Sequence, residues 1–190
     1  MVVEEFPMSG EQPVEDGDLV RRARTEPAAF GELCRRYSSP LYSYLRARTN
    51  NDEDAADLTQ QVFLKAMYAF PRYRERGRPF GAWLFRIARN LLTDSRRRQR
   101  PSVSWDDVPE AHVPRTKDDL EAQVVAAEAH ARVRAALGRL DATQREIVLL
   151  RFVAGLTFRE IGAVVGKSES SAHRDTLRAL RTLQEQYHDQ

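Results

Sequence analysis

Cysteine is nearly absent from this sequence, which has Cys34 as its one thiol among 190 residues. An internal disulfide is therefore excluded, and no Cys/His spacing typical of a metal site accompanies this thiol. The four histidines are scattered along the chain and show no ligand spacing either. We expect a protein of the reducing cytoplasm that uses no metal and no cofactor.

Long apolar runs are missing as well. No stretch approaches the roughly 18 consecutive apolar residues that a membrane-spanning helix needs. Residues 1–16 are rich in Glu, Pro and Gly, and they lack the basic segment and apolar core of a secretory signal. We therefore expect no membrane insertion and no export, and we predict that residues 1–16 are a disordered tail.

The formal net charge is only +2, but the charges are separated along the chain. The segment 72–100 holds ten arginines and two acidic residues, whereas the segment 101–127 holds six acidic residues and two basic ones. Three prolines in the second segment disfavour a helix there. The sequence therefore predicts a first domain over residues 17–100, a flexible acidic linker over 101–123 and a second domain over 124–190.

The apolar residues of both domains recur at steps of three and four, as expected of helices. In the first domain we expect helical segments between Asp18 and Arg48, with a bend or break at Pro40, then between Asp52 and Phe70, and again from Phe80. No segment shows the convincing period-two alternation of a strand. The predicted fold class is all-α, with two small helical domains joined by a flexible linker.

Two capping-box patterns begin helices in the second domain, Thr143 with Glu146 and Thr157 with Glu160. Gly166 then suits the left-handed residue that often ends a helix, so the pattern predicts a helix-turn-helix unit. Such units place the start of their second helix in the major groove of DNA. The expected reading side chains are Ser170, Ser171, His173, Arg174 and Arg178. The expected buried stripe of this helix is Ala172, Leu177, Leu180 and Leu183.

Aromatic residues are interleaved with the arginines of segment 72–100. Rings beside cations can stack on unpaired bases while the cations neutralise phosphates, although a run of charge is also compatible with a solvated helix face. Phe80 and Leu84 lie on the apolar stripe and are predicted to be packing residues. Tyr73 and Trp83 are the better stacking candidates. The polar residues of the same segment that fall on other helix faces are Arg86, Arg89, Asn90 and Arg97.

Four acidic residues lie close together near the start of one predicted helix: Asp52, Glu53, Asp54 and Asp57. Carboxylates in such a cluster could bind a divalent metal, so a small nuclease is one alternative. The helix dipole accounts for acids at a helix start without any catalytic role, and no nucleophile or histidine pattern accompanies them. We therefore predict that the protein is not an enzyme.

The residues from Asp18 to Tyr187 resemble the sigma-70 family, specifically its extracytoplasmic-function group, which retains only sigma regions two and four. The run FGAWLFRIARNLLTDSRRR is similar to the family's region 2.3 to 2.4 signature. DLTQQVF resembles region 2.2, and the capped helix pair that ends in LRALRTL resembles region 4.2. The positions that depart from common family residues are Ala56, Gln61, His173 and Asp175.

This resemblance implies a sigma factor that directs core RNA polymerase to promoter DNA, with an anti-sigma factor as a further partner. Region 2.2 would bind core polymerase through Asp57, Leu58, Gln60 and Phe63. The minus-ten element would be handled by Tyr73, Trp83, Arg86, Arg89, Asn90 and Arg97. The helix-turn-helix would read the minus-thirty-five element. The main alternative is a stand-alone helix-turn-helix regulator whose first domain senses a signal or dimerises.

Overall fold

The computed structural model describes residues 16–49, 51–75, 79–98 and 135–188, with side chains up to residue 95 in the third range and up to 185 in the last. Every regular element in these ranges is helical, which confirms the all-α prediction. We refer to residues 16–98 as the first helical unit and to residues 135–188 as the second. Residues 1–15 of the predicted tail and the predicted linker lie outside the described residues. Asp16, the last residue of that predicted tail, is instead held by the first unit, because its carboxylate accepts a hydrogen bond from the Tyr37 hydroxyl.

Helices of very different lengths build the two units. The first unit contains α1 (Gly17–Arg22), α2 (Pro27–Arg46), α3 (Asp52–Ala69) and α4 (Phe80–Arg98), with a 3₁₀ turn at Phe70–Arg72. The second contains α5 (Ala142–Val148), which continues as a π-helical turn at Leu149–Val153, then α6 (Phe158–Val165) and α7 (Glu169–His188). Residues 135–138, before α5, are also helical.

The expected interruption at Pro40 does not break the helix, because α2 continues from Pro27 to Arg46. A proline inside a helix removes one backbone hydrogen bond and crowds the preceding turn. Leu33 lies before the proline and Leu41 after it, and both are fully buried in the same core. Burial of both halves of the helix in one core offsets the local cost of the proline.

The capping box predicted at Thr143 and Glu146 is wrong. The Asp141 side chain instead accepts hydrogen bonds from the backbone N–H groups of Thr143 and Gln144, each at 2.8 Å. The Gln144 side chain accepts in return from the Asp141 N–H, so the reciprocal box begins two residues earlier. Glu146 is thereby released from any capping role.

The second predicted capping box is confirmed. The Glu160 N–H donates to the Thr157 hydroxyl at 3.3 Å, and the Thr157 N–H donates to the Glu160 carboxylate at 2.9 Å. Gly166 adopts the left-handed conformation with φ +77°, as expected for the residue that ends α6. The Ser168 hydroxyl accepts from the Ser171 N–H and so begins α7.

The apolar core runs through both units without interruption. Within the first unit, α2, α3 and α4 pack around buried side chains that include Leu33, Leu41, Leu45, Val62, Phe80, Leu84 and Phe85. α6 packs along α4, and the π-helical turn packs on α2. The second unit adds Ile147, Leu150, Ile161 and Val164 to the same cluster. The described parts of the two units therefore form one packed body.

The buried face of α7 differs from the predicted stripe. Ala172 is fully buried as expected, but Leu177 is 52% exposed and Leu180 is 38% exposed. The inward positions are occupied by Thr176 and Ala179, whose small side chains suit close packing of α7 against α5 and α6. Leu183 is half-buried and packs against Ala179 as expected, so the three-residue spacing of the leucines was wrong only for Leu177 and Leu180.

Candidate nucleic-acid interface

The exposed side of α4 carries one aromatic residue and several polar residues. Trp83, Arg86 and Asn90 are separated by three and four residues and therefore share one face of the helix. Arg86, Arg89 and Asn90 are exposed, and Trp83 is half-buried. A cleft of about 320 Å³ is lined by Ala82, Trp83, Arg86, Ile87, Asn90 and, from α6, Ala163. The side chain of Arg97, also predicted to face DNA, lies outside the described residues.

Tyr73 is buried and cannot stack on a base in this structure, which corrects its prediction as a stacking residue. The side chain is only 4% exposed, and its ring lies 4.7 Å from that of Trp83 between centroids. Phe70 and Phe80 complete the cluster at 6.1 Å and 6.0 Å from Tyr73. Burial raises the pKa of Tyr73 above its ordinary value. Tyr73 is therefore a packing residue, and it buttresses one side of Trp83.

The residues predicted on α3 separate into exposed and buried ones. Asp57 and Gln60 are exposed and Phe63 is half-buried, as a surface contact requires. Leu58 is only 6% exposed and belongs to the apolar core, which corrects its assignment as a contact residue. Asp57 accepts a hydrogen bond from the Gln61 side-chain amide at 2.6 Å.

An exposed apolar stripe on α3 was missed by the sequence reasoning. Leu64 is 51% exposed, Met67 is 47% exposed and Tyr68 is 79% exposed. These positions follow Gln60 at helical spacing, so they continue the surface on which Gln60 lies. The signal was present in the sequence, since the period of the buried residues of α3 leaves these three positions on the outside. We call Gln60, Leu64, Met67 and Tyr68 the α3 stripe.

The helix-turn-helix of α6 and α7 depends on a close approach at Gly162. A Cβ added to Gly162 would lie 2.6 Å from the backbone oxygen of Lys167, closer than atoms can pack. The Lys167 N–H donates to the Gly162 carbonyl at 2.8 Å and closes the turn. This tight turn sets the angle at which α7 leaves α6. Ser170, His173 and Arg174 are exposed near the start of α7, and Ser171 is half-exposed.

Several predicted reading residues of α7 already have partners within the chain. His173 packs edge-on against Phe158 of α6, with ring centroids 4.7 Å apart. Arg178 lies 3.3 Å from Asp175, and the same carboxylate accepts from Lys167 at 2.6 Å. Arg174 donates to the Ser171 hydroxyl at 3.1 Å. The positive charge that α7 presents to a phosphate is therefore partly neutralised by Asp175.

The acidic cluster at the start of α3 is held by local contacts. The Asn51 side chain caps α3 by accepting from the Asp54 N–H at 2.7 Å, and Arg46 donates to Asp52 at 2.5 Å. Hydrogen bonds from Arg46 and Tyr42 hold the pKa of Asp52 below its ordinary value. Across the described ranges, no group of three or more His, Cys, Asp or Glu side chains is arranged to hold a metal ion.

Comparison with known families assigns both helical units. The family described as Sigma-70 region 2 matches residues 33–102, which covers most of α2 together with α3 and α4. The family described as Sigma-70, region 4 matches residues 130–183, which covers α5 and α6 and most of α7. The chain belongs to the sigma-70 family. The named relatives described below place it in the extracytoplasmic-function (ECF) group.

Two ECF RNA polymerase sigma factors are similar to this sigma-70 chain over most of its length. BldN of Streptomyces coelicolor is 38% identical over 170 residues, which are 87% of this chain and 63% of BldN. This chain therefore spans less than two thirds of that relative. ShbA of Streptomyces griseus subsp. griseus is 32% identical over 182 residues, which are 90% of this chain and 95% of ShbA.

A solved structure has a similar fold over most of the chain. The structure of CnrH in complex with the cytosolic domain of CnrY aligns with 92% of this chain and 98% of that chain. The TM-score is 0.68 and the sequence identity is 28%. In the part of this sigma-70 chain that the structure describes, none of the helices has the length and apolar character needed to cross a membrane.

Proposed function

We propose that this ECF sigma-70 protein directs core RNA polymerase to specific promoters, with α4 handling the minus-ten element and α7 reading the minus-thirty-five element. It acts as a transcription initiation factor without catalytic activity of its own. Its place of action is the cytoplasm, where bacterial core polymerase works.

The exposed face of α4 is the observation that carries this proposal. Trp83, Arg86 and Asn90 bring together a ring, a permanent cation and an amide on one helix side. Stacking on an aromatic ring is worth roughly 1–3 kcal/mol per unpaired base, and arginine neutralises the adjoining phosphates. A stand-alone regulator that reads duplex DNA through a helix-turn-helix has no need of such a face, so the melted minus-ten strand is the ligand that fits it.

The α3 stripe supplies the contact with polymerase in this proposal. Its apolar members Leu64, Met67 and Tyr68 are exposed side by side, and Asp57 and Gln60 provide a polar border. An apolar helix face bordered by polar groups suits docking against another helix. Half-buried Phe63 lies beside the stripe and adds to this contact. Buried Leu58 packs in the core and does not contact polymerase.

An anti-sigma protein is the second protein partner that we propose. The family resemblance implies such a partner, and the structurally similar CnrH was solved in complex with the cytosolic domain of CnrY. A protein that covers the exposed α3 stripe would keep the chain from core polymerase.

Transcription from fragmented bacterial genomic DNA tests the proposed function. Core polymerase is incubated with and without the chain, and the 5′ ends of the transcripts are sequenced. The proposal predicts new transcripts from a limited set of sites that share two upstream sequence elements. If the chain fails to associate with core polymerase, or if the transcripts are the same with and without it, the proposed function is wrong.

The polymerase contact has its own test in the variant L64A/M67A/Y68A. We expect core-polymerase affinity to fall by roughly tenfold or more, since truncated hot-spot residues each cost more than about 1 kcal/mol. The helix content should stay the same because these side chains are exposed to solvent and do not pack in the core. The control is Arg35→Ala on α2, whose side chain is 77% exposed and pairs with Glu32 on the surface. Equal polymerase affinities for the triple variant and the control would contradict the assignment.

A further inference from the structure

A phenylalanine at the start of α6 links the turn before that helix to the start of α7. Phe158 is the first residue of α6, and its half-buried side chain packs against the apolar core. Its ring contacts the ring of His173 in α7, with centroids 4.7 Å apart and planes inclined at 64°. The guanidinium of Arg151 lies over the Phe158 ring, 4.9 Å from its centroid. One ring therefore contacts both a cation of the preceding turn and an imidazole of α7.

Arg151 is held in place by the turn to which it belongs. It lies in the π-helical turn Leu149–Val153, and its Nη1 atom donates to the Leu156 carbonyl at 2.9 Å. The Leu156 N–H donates in turn to the Leu150 carbonyl at 3.0 Å, and both leucine side chains are buried. Turns of this kind within helices occur frequently at functional sites. The cation over Phe158 is therefore anchored to backbone that the core fixes.

The His173 imidazole differs from the arginines that follow it in α7. Arg174 donates to the Ser171 hydroxyl at 3.1 Å, and Arg178 lies 3.3 Å from Asp175. Among the residues that the structure describes, none forms a hydrogen bond with the exposed imidazole of His173. An imidazole carries at least one N–H donor, whichever nitrogen bears the proton. This donor is therefore available to an acceptor outside the chain.

The ring contact also limits the motion of His173. Aromatic pairs favour inclined arrangements such as the one between His173 and Phe158. An exposed side chain loses rotamer freedom when it binds a ligand, and a ring that is already held loses less. Phosphate contacts carry no direct sequence information, whereas a base edge is read by groups placed against it. A held ring is therefore better suited to reading a base than to a phosphate contact alone.

The position of His173 in α7 agrees with this role. It lies four residues after Glu169, the first residue of α7, and the beginning of a reading helix is the part that contacts base edges. In the major groove a purine presents its N7 atom as an acceptor, whereas cytosine presents an amino group, which is a donor. An imidazole N–H therefore favours a purine over cytosine.

We propose that His173 is a specificity-determining residue that donates to a purine N7 in the minus-thirty-five element, and that Phe158 and Arg151 are positioning residues for its ring. The inference rests on the proposed role of α7 in reading that element. It deepens this role by assigning the choice of one base to one imidazole. It also makes that choice depend on the Phe158 ring of α6, which acts through His173.

Transcription from a mutated promoter tests the inference. A promoter found in the genomic transcription experiment is prepared with every single base substitution across its minus-thirty-five element. Core polymerase is loaded with the parent chain or a variant, and the transcripts from each template are counted by sequencing. With the parent, a purine should be preferred over cytosine at one position by at least about fivefold, the lower end of the range for a mismatched base pair.

His173→Phe keeps a ring against Phe158 but removes the N–H donor. The purine preference at that position should therefore fall below about twofold, while the preferences at the other positions remain. Phe158→Leu keeps an apolar side chain but removes the ring, so it should lower the preference at the same position. Phe158→Tyr retains the ring and should give the parent's preference. Phe158→Leu combined with His173→Phe should lose no more preference than His173→Phe alone, because both residues act through one contact.

Two further variants refine the test. Arg151→Met removes the cation but keeps an unbranched side chain near the Phe158 ring, so we expect a smaller loss at the same position. The matched control is Phe152→Leu, which changes another phenylalanine of the same turn, one that is 59% exposed. This control should leave the base preferences as they are in the parent.

The possible outcomes are distinguishable. If the parent chain with core polymerase gives no promoter-specific transcripts, the proposed function fails and the inference fails with it. If the parent gives them but His173→Phe leaves every base preference unchanged, or lowers transcription from all templates equally, His173 does not select a base and the inference is wrong. The positioning role of Phe158 is overturned if Phe158→Leu keeps the parent's preference, or if it lowers transcription from all templates equally.

Discussion

Tyr73 and Tyr68 lie only five residues apart, yet their environments are opposite. Tyr73 packs among Phe70, Phe80 and Trp83, whereas Tyr68 projects from α3 with 79% of its surface exposed. Truncation of a buried aromatic residue removes its transfer free energy and leaves a cavity. The two tyrosines should therefore differ in what they contribute, Tyr73 to stability and Tyr68 to binding.

We expect Tyr73→Ala to lower the free energy of unfolding by about 3–5 kcal/mol, the range for large buried aromatics. Tyr68→Ala should change it by no more than about 0.5 kcal/mol. Urea unfolding followed by circular dichroism measures both values. Equal stability of the two variants would mean that Tyr73 is not packed as described and would reopen its role as a stacking residue.

Asp175 is the residue that limits the positive charge of α7. It binds both Lys167 and Arg178, so its removal should free two cations for phosphate contacts. Asp175→Asn should strengthen binding of the reconstituted holoenzyme to the upstream promoter element. Each new phosphate contact adds roughly 0.9 to the slope of log affinity against log salt concentration. With one or two new contacts, the slope should therefore steepen by about one to two.

The matched control for this prediction is Asp18→Asn in α1, where the carboxylate pairs with Arg21 on the surface. It should leave the salt dependence unchanged. If Asp175→Asn also leaves the slope unchanged, Lys167 and Arg178 do not contact phosphates, and the groove-reading orientation of α7 is wrong.

At the scale of elements, two helical glycines provide a direct comparison. A Cβ added to Gly162 in α6 would lie 2.6 Å from the backbone oxygen of Lys167. A Cβ added to Gly31 in α2 would have no other atom within 4 Å. Overpacking costs about 1–3 kcal/mol, so Gly162→Ala should destabilise the chain by that amount. Gly31→Ala should stabilise it by about 0.5–1 kcal/mol, because alanine is the better helix former.

Thermal and urea unfolding of these two variants check the turn geometry. Gly162→Ala should also weaken binding to the upstream element, since it changes the angle between α6 and α7. A neutral effect of Gly162→Ala on both stability and binding would show that the helix-turn-helix does not depend on this close approach.

Local signals predicted the elements well, and nonlocal packing explains the misses. The capping box of Thr157 and Glu160 and the left-handed Gly166 were predicted because each depends on residues within one or two helical turns. Leu58 was assigned to a surface from family resemblance and Tyr73 from its place among the arginines, but packing of the helices buries both. The outward leucines of α7 were missed because small residues such as Ala179 pack inward, and spacing alone does not distinguish the two faces.

At the scale of the whole molecule, the sequence indicated two helical units but not their contact. Glu146 fits a capping box on sequence grounds, and its actual partners Tyr44 and Arg48 are about a hundred residues away. No periodicity or local motif reports such a contact. The same limit applies to Arg89, whose exposed position on α4 was predicted but whose approach to Glu146 and to Val164 was not.

The exposed face of α4 carries the residues that we propose to bind the melted strand. Arg86 and Asn90 are exposed there and contribute little to the core, so their loss should affect DNA rather than folding. The double variant R86A/N90A should bind core polymerase as the parent does. It should still form an initial complex through α7 but fail to hold the melted strand.

Permanganate reactivity of unpaired thymines in a promoter, measured with core polymerase and either the parent or R86A/N90A, tests this claim most directly. The parent should give strong permanganate reactivity across the minus-ten element, and core polymerase alone should give none. The reactivity with the double variant should be at least about tenfold lower than with the parent. A loss of that size corresponds to about 1.4 kcal/mol, within the range for one stacked or neutralised nucleotide. Full reactivity with R86A/N90A, at unchanged occupancy of the promoter, would contradict the assignment of α4 as the strand-binding helix.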